Sequence, residues 1–269
     1  MRRRGSDAEA RNTVLRVVES IQENLAEQIS VDDMAHTALL SRFHFSRVFK
    51  QITGLSPGHF LSAMRLEAAK RYLTFTSLTV VEITHRVGYT SVGTFGSRFA
   101  RSVGLPPTRY RELGPLAMWS PCGHAGPDRD SVTMVRGRIR PSQPGPAETV
   151  FVGLFPEPIA EGPLACGSVV DRDGWYALSH VPEGIWHLLA YSVPAAGGEP
   201  ADIATVPGEP LPGAAALDGD AQQHVGSFGP VTVHPRAAVH LADVRLRPRC
   251  PLDPPVLLVP PGRSIAARS

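Results

Sequence analysis

Cysteine, lysine and long apolar runs are all scarce in this chain of 269 residues. Three cysteines, Cys122, Cys166 and Cys250, are too few for a disulfide framework, and none stands in a C-x-x-C pair. No stretch approaches the ~18 unbroken apolar residues of a membrane span. The charged start Met1-Arg2-Arg3-Arg4 is not followed by the apolar segment of a secretory signal. A soluble, cytoplasmic protein with no membrane partner is therefore expected. Catalytic signatures are missing too: there is no G-x-S-x-G, no H-E-x-x-H and no P-loop. His180, His187, His224, His234 and His240 lack ligand spacing, so no metal, no cofactor and no enzyme activity are expected.

Proline is nearly absent from one part of the chain. Residues 1–113 hold only Pro57, Pro106 and Pro107 of the 26 prolines, so long helices are possible there and not beyond. Charge divides at the same place. Residues 1–113 carry 16 Arg/Lys and 10 Asp/Glu, a net of +6, which leaves 11 basic and 15 acidic residues, a net of −4, for the remainder. The first part suits a polyanion and the second does not. Lys50 and Lys70 are the only lysines, so the positive charge is almost all arginine.

Periodicity fills in the first part. Val14, Val17, Val18, Ile21 and Leu25 form one apolar stripe at three- and four-residue steps. Ser30-Val31-Asp32-Asp33 reads as an N-cap with an acidic N3 residue, opening a short helix with Met34, Ala35 and Ala38 inward. A second helix starts near Ser41 with Phe45, Val48 and Phe49 apolar, and stops at Gly54. Ser56-Pro57 opens a longer helix through Phe60, Leu61, Met64, Ala68 and Leu73. The pattern then returns: Thr79-Val80-Val81-Glu82 is a second capping box, Ile83 and Val87 answer Met34 and Ala38, and Phe95 and Phe99 answer Phe45 and Phe49. Gly104-Leu105-Pro106-Pro107 answers Gly54-Leu55-Ser56-Pro57. This is an internal repeat of about 50 residues with one residue inserted in a turn, each unit a helix, a tight turn and a helix.

In each unit the second helix has the composition of a major-groove reader, apolar behind and polar in front. Over residues 41–50 the back is Phe45, Val48 and Phe49, and the front is Arg42, Phe43, Ser46, Arg47 and Lys50. Arg47 is the candidate for a guanine, since a guanidinium donates twice to O6 and N7. Arg42 and Lys50 suit phosphates, and Phe43 a thymine methyl or sugar edge. In the second unit, residues 91–101, the front holds Val92, Gly93, Gly96 and Ser97, with Ser97 where Arg47 stands in the first. Two glycines weaken that helix by roughly 1 kcal/mol each. It is expected to add phosphate contacts through Ser91, Thr94, Arg98 and Arg101 and to read shape.

These stretches resemble the AraC/XylS family of transcription regulators: residues 29–54 (ISVDDMAHTALLSRFHFSRVFKQITG), Arg65-Leu66-Glu67-Ala68, Val87-Gly88-Tyr89, then Phe95, Phe99, Gly104-Leu105-Pro106-Pro107 and Tyr110-Arg111. The resemblance covers residues 12–113. It implies two helix-turn-helix subdomains joined by one long helix, with two recognition helices in successive major-groove segments of double-stranded DNA. The family usually carries this unit at the C-terminus; here it comes first, so the family's usual effector domain does not carry over.

The remainder alternates short β-rich runs with turn residues, at 132–139, 149–154, 168–170, 175–178, 185–193, 231–233 and 238–246, and predicts an antiparallel β-sandwich. Asp173-Gly174-Trp175-Tyr176 and Val181-Pro182-Glu183-Gly184-Ile185-Trp186 resemble the carboxypeptidase-regulatory or transthyretin-like sandwich, which implies a binding or structural unit. Trp175, Tyr176 and Trp186 read either as core or as the lining of a ligand pocket. The expected organisation is a basic tail (1–11), an all-α double helix-turn-helix domain (12–113), a linker (114–131), an all-β sandwich for effector sensing or dimerisation (132–247) and a proline-rich tail (248–269). A long loop is expected over 194–219.

The function expected is a sequence-specific transcription regulator, with RNA polymerase, a small-molecule effector and a second copy of the chain as further partners. Two alternatives remain. One is an architectural DNA-binding protein whose β-domain is an interaction module. The other is an enzyme with a DNA-binding appendage, such as a repair methyltransferase, for which Pro121-Cys122-Gly123-His124 is a superficial echo of a nucleophile motif.

Overall fold

In the computed structural model, which describes residues 2–113, 133–140, 149–170, 173–193, 223–234 and 239–258, helices fill the first part of the chain and strands the rest. The helices are α1 (Arg2–Glu23), α2 (Val31–Thr37), α3 (Arg42–Thr53), α4 (Pro57–Phe75), α5 (Val80–Arg86), α6 (Val92–Val103) and α7 (Pro107–Leu113). The start of the chain, expected as a tail, is helical from Arg2.

Local chemistry sets the helix ends. The Ser30 hydroxyl accepts from the Asp33 N–H, and the Asp33 carboxylate accepts from the Ser30 N–H at 2.8 Å. Thr79 and Glu82 make the same reciprocal pair at 2.7 Å. Each such cap contributes about 1 kcal/mol. Gly54 and Gly104 end α3 and α6 in the left-handed conformation.

The repeat reappears as packing. Phe45 meets Phe49 at 5.4 Å and Phe49 meets Phe60 edge-on at 5.4 Å; in the second unit Phe95 meets Phe99, and Phe99 meets Tyr110 edge-on, both at 5.6 Å. The inserted residue is Thr90. Leu40 and Tyr89 both donate their N–H back to the short helix, to Ala35 and Thr84, whereas the cap follows at once as Ser41 in one unit and a residue later as Ser91 in the other. The stripe on α1 is fully buried at Val14, Val17, Val18 and Ile21. α4 joins the two units. Its Arg65 donates to the Leu25 and Glu27 carbonyls at 3.2 and 2.5 Å.

The strands are β1 (Met134–Arg140), β2 (Thr149–Phe155), β3 (Cys166–Val169), β4 (Trp175–Ser179), β5 (Gly184–Val193), β6 (His224–Val233), β7 (Val239–Leu241), β8 (Val244–Arg245) and β9 (Arg247–Pro248). One sheet has β1 at its centre, β4 on one side and β7 and β8 on the other; the second runs β3-β2-β5-β6-β9. A common core joins them, with Val135, Ile139 and Leu178 from the first and Val152, Leu154, Leu188 and Val233 from the second.

Three expectations need correction. The pairing is not wholly antiparallel: β7 and β8 both run parallel to β1. The run over 238–246 is broken into β7 and β8 at Ala242-Asp243, where the Ala242 carbonyl accepts from the Tyr176 hydroxyl and the Asp243 carboxylate from the Arg138 N–H at 2.9 Å. β6 begins at His224, because 225–228 pairs with β5 despite Gly226 and His224 pairs with β9. The linker with Cys122 and His124, and the expected long loop, lie outside the described residues.

A thin third layer lies between the second sheet and the helices. It consists of the β2–β3 connection and the segment after β9, which was expected as a tail. Their neighbouring residues face opposite ways. Ile159 and Leu257 enter the helical core, while Ala160 and Leu258 join Phe151, Phe155 and Tyr191 on the outer face of the second sheet. The two segments are stitched by N–H groups of Leu257 and Leu258, both donating to the Ala160 carbonyl at 3.0 and 2.9 Å.

Candidate nucleic-acid interface

α3 is held rigidly from behind. Phe45 and Phe49 are 0% exposed, and Val48 is half-buried against the same core. Opposite them Arg42, Phe43, Arg47 and Lys50 are exposed and Ser46 is half-buried. Phe43 is 90% exposed, so it belongs to the outer face and not to the core. Beside it in the turn stands Leu39, 88% exposed and in the left-handed conformation, φ 55°. Sequence reading missed Leu39, since a leucine in a turn gives no signal of its own exposure. Arg42 Nη1 lies 3.2 Å from the Asp32 carboxylate, with both side chains open to solvent. Such a surface pair is worth at most about 1 kcal/mol and yields readily to a phosphate.

α6 repeats the platform with Phe95 and Phe99 at 0% exposure. Ser91, Val92, Thr94, Ser97, Arg98 and Arg101 are all exposed. Ser91 caps the helix by accepting from the Thr94 N–H at 3.4 Å. Arg98 is turned back: its Nη1 donates to the Ser62 hydroxyl on α4 at 3.0 Å, and that hydroxyl pairs with the Tyr89 hydroxyl at 3.1 Å. The first unit thus offers three outward cations (Arg42, Arg47, Lys50), and the second offers Arg101 with Arg98 tethered.

His59, in the first turn of α4, sits between two carboxylates of the β2–β3 connection. Its Nε2 is 2.6 Å from Glu161, and its Nδ1 is 3.3 Å from Glu157. The hydrogen bond with Glu161 raises the His59 pKa above that of a free imidazole. Lys70, further along α4, donates to the Val256 and Leu257 carbonyls at 3.0 and 3.1 Å, and enclosure of its amine pushes its pKa down to about 8.

On the β side, Trp175 is 53% exposed and on the opposite face from the buried Tyr176. Trp175 stacks under Arg138 at 5.6 Å, so the aromatic trio does not gather into one pocket. Among the described residues no group of three or more His, Cys, Asp and Glu side chains could hold a metal ion. No described helix is long and apolar enough to cross a membrane.

Comparison with known proteins converges on the helical part. A family model described as a helix-turn-helix domain matches residues 34–113. The HTH-type transcriptional regulator Rv1931c of Mycobacterium tuberculosis is 39% identical over 30% of this chain and 32% of its own length. The HTH-type transcriptional activator AarP of Providencia stuartii is 32% identical over 34% of this chain and 67% of its own. The chain therefore spans about a third of the first relative and two thirds of the second. Among solved structures, the DNA-binding domain of AdpA in complex with a target DNA is 33% identical, covering 37% of this chain and 90% of that one, with a TM-score of 0.37.

Proposed function

We propose, for a chain that belongs to the AraC family of helix-turn-helix regulators, sequence-specific binding to double-stranded DNA that controls transcription. α3 enters one major-groove segment and α6 the next. Base readout comes mainly from α3. Arg47 donates twice to a guanine, and Phe43 with Leu39 packs on thymine methyls. Arg42, Ser46 and Lys50 on α3, and Ser91, Thr94, Arg98 and Arg101 around α6, hold the phosphates, with Val92 and Ser97 on the groove face. The observation that carries this reading is the contrast within α3, where Phe45 and Phe49 are at 0% exposure and Phe43 at 90%. A fully solvated aromatic and a free arginine on an anchored helix are what a groove-reading element needs.

The reading has a regulator and not a catalyst, with residues 12–113 as the DNA-binding domain, 114–131 as linker and 132–247 as a β-sandwich of the carboxypeptidase-regulatory kind. That sandwich senses a small-molecule effector or pairs two copies of the chain, and the bound regulator acts on RNA polymerase.

Selection from a random double-stranded DNA pool tests the reading. The intact chain enriches a motif with one or two half-sites. Arg47→Ala relaxes a single position at a cost of about 1–3 kcal/mol, while Lys50→Ala weakens all sequences alike and lowers the salt slope by about 1. No enrichment above a salt-sensitive background would sink it.

A further inference from the structure

The layer between the second sheet and the helices touches both reading heads at one end of the β2–β3 connection. Pro158 lies under Gly54, the residue that ends α3; a Cβ built there would stand 3.2 Å from Pro158 Cγ. Four residues on, the Gly162 N–H donates to the Ser102 carbonyl in the last turn of α6 at 2.8 Å. Between these points Ile159 is 1% exposed inside the helical core, and Glu161 holds His59 at the start of α4. One short segment of the β half thus touches the end of α3, the start of α4 and the end of α6. It is held from behind by the Ala160 carbonyl, which takes the N–H groups of Leu257 and Leu258. Those residues are anchored in turn through Lys70, and Arg249 Nη1 reaches Glu67 on α4 at 2.9 Å.

We propose that residues 156–162 form a strut that fixes the separation and tilt of α3 relative to α6, so that the β half determines which spacing between half-sites the chain accepts. This rests on the reading of α3 and α6 as paired DNA readers and adds a specificity determinant that touches no base. One base pair of spacer moves a half-site about 3.4 Å along the duplex and about 35° around it. Two heads joined only through α4 and the Gln28–Gly88 hydrogen bond can absorb such a shift by flexing between units. Heads that are also clamped at both C-terminal ends cannot. The same strut is the path by which an event in the β half reaches the DNA face, because the connection leaves β2 and re-enters as β3 of the second sheet.

The test measures affinity of the full chain for its selected bipartite site and for the same site with one spacer base pair added or removed. The intact chain discriminates by roughly tenfold or more, the scale of one mismatched pair. Ile159→Ala, which empties the strut's anchor, and Glu161→Gln, which removes the closer of its two carboxylates on His59, are expected to keep the parent half-site preferences. Their spacer discrimination should fall to roughly two- to threefold. Unchanged spacer discrimination in the variants that fold overturns the proposal, even if thermal stability drops. Glu161→Gln opens no cavity and supplies the answer if Ile159→Ala does not fold. If the intact chain selects only a single half-site, the strut proposal falls and the regulator reading stands. If it selects nothing, both fall.

Discussion

The left-handed turn positions of the two units offer a sharp quantitative check on the packing. Gly88 (φ 78°) in the second unit corresponds to Leu39 (φ 55°) in the first, and Gly104 (φ 92°) shares the left-handed conformation at the end of α6. An alanine at φ > 0 costs about 1–2 kcal/mol in backbone strain, of which about 0.4–1 is recovered from the less flexible unfolded chain. At Gly104 nothing lies within 4 Å of a built Cβ, so Gly104→Ala should cost about 1 kcal/mol. At Gly88 the same Cβ would stand 2.6 Å from Arg65 Nη2 and closer still to the Leu25 carbonyl oxygen. Neither neighbour is free to move. Arg65 bonds the Leu25 and Glu27 carbonyls, and the Gln28 amide donates to the Gly88 carbonyl at 3.0 Å. Relieving the clash breaks one or two of these bonds at about 1–3 kcal/mol each, which brings Gly88→Ala to about 2–7 kcal/mol. Denaturant unfolding of the full chain followed by far-ultraviolet circular dichroism reads both numbers. Leu39→Gly, at an 88% exposed site with no neighbour to lose, should gain up to about 1 kcal/mol. Gly88→Ala and Gly104→Ala within about 1 kcal/mol of each other would refute the argument that packing beyond φ reserves position 88 for glycine.

Two titrations bear on the layer between the halves. Lys70 has a folded pKa of about 8, below that of a free lysine, so between about pH 8 and pH 10 the unfolded chain holds a proton that the folded chain has shed. Stability therefore rises with pH across that window, by a few kcal/mol at most, and Lys70→Met should abolish the rise in chemical-denaturation curves. His59 runs the other way. Its pKa is raised by the hydrogen bond and charge of Glu161 and by Glu157, against its partial burial and, more weakly, Arg98, so its contribution is fully present below about pH 6.5 and is lost as pH climbs through the folded value. The protection factor of the Gly162 amide, which bonds Ser102, should fall over that climb in the native chain, once the base-catalysed rise of free amide exchange is divided out, and hold steady in His59→Gln; equal pH dependence of protection in both would refute it.

What could be read from the sequence is what local chemistry specifies. Both capping boxes, the proline and glycine punctuation and the aromatic pairs of the repeat depend on residues within about a dozen positions of one another, and all of them stand in the structure. The outward face of α3 follows from the same periodicity. The turning back of Arg98 does not, since it depends on Ser62 one helix away. In the β half, runs of alternating residues located most strands. Whether β7 and β8 lie parallel or antiparallel to β1 is a choice between long-range pairings that alternation leaves open.

The layer between the two halves was invisible for a stronger version of that reason. Its contacts join His59 to Glu161 and Lys70 to Leu257, across 102 and 187 positions of sequence. Its segments, Pro156-Glu157-Pro158-Ile159 and Pro254-Pro255-Val256-Leu257-Leu258, are too rich in proline to show any period. Yet each puts one apolar residue toward the helices and the next toward the sheet, as a layer one chain thick must. Apolar residues stranded among prolines would be expelled from a solvated loop only if something covered them on both sides. Ile159, Leu257 and Leu258, at 1, 0 and 4% exposure, are covered in that way. A helical half placed before the β half is thus not simply linked to it: the β half reaches past its own core and closes that of the helices.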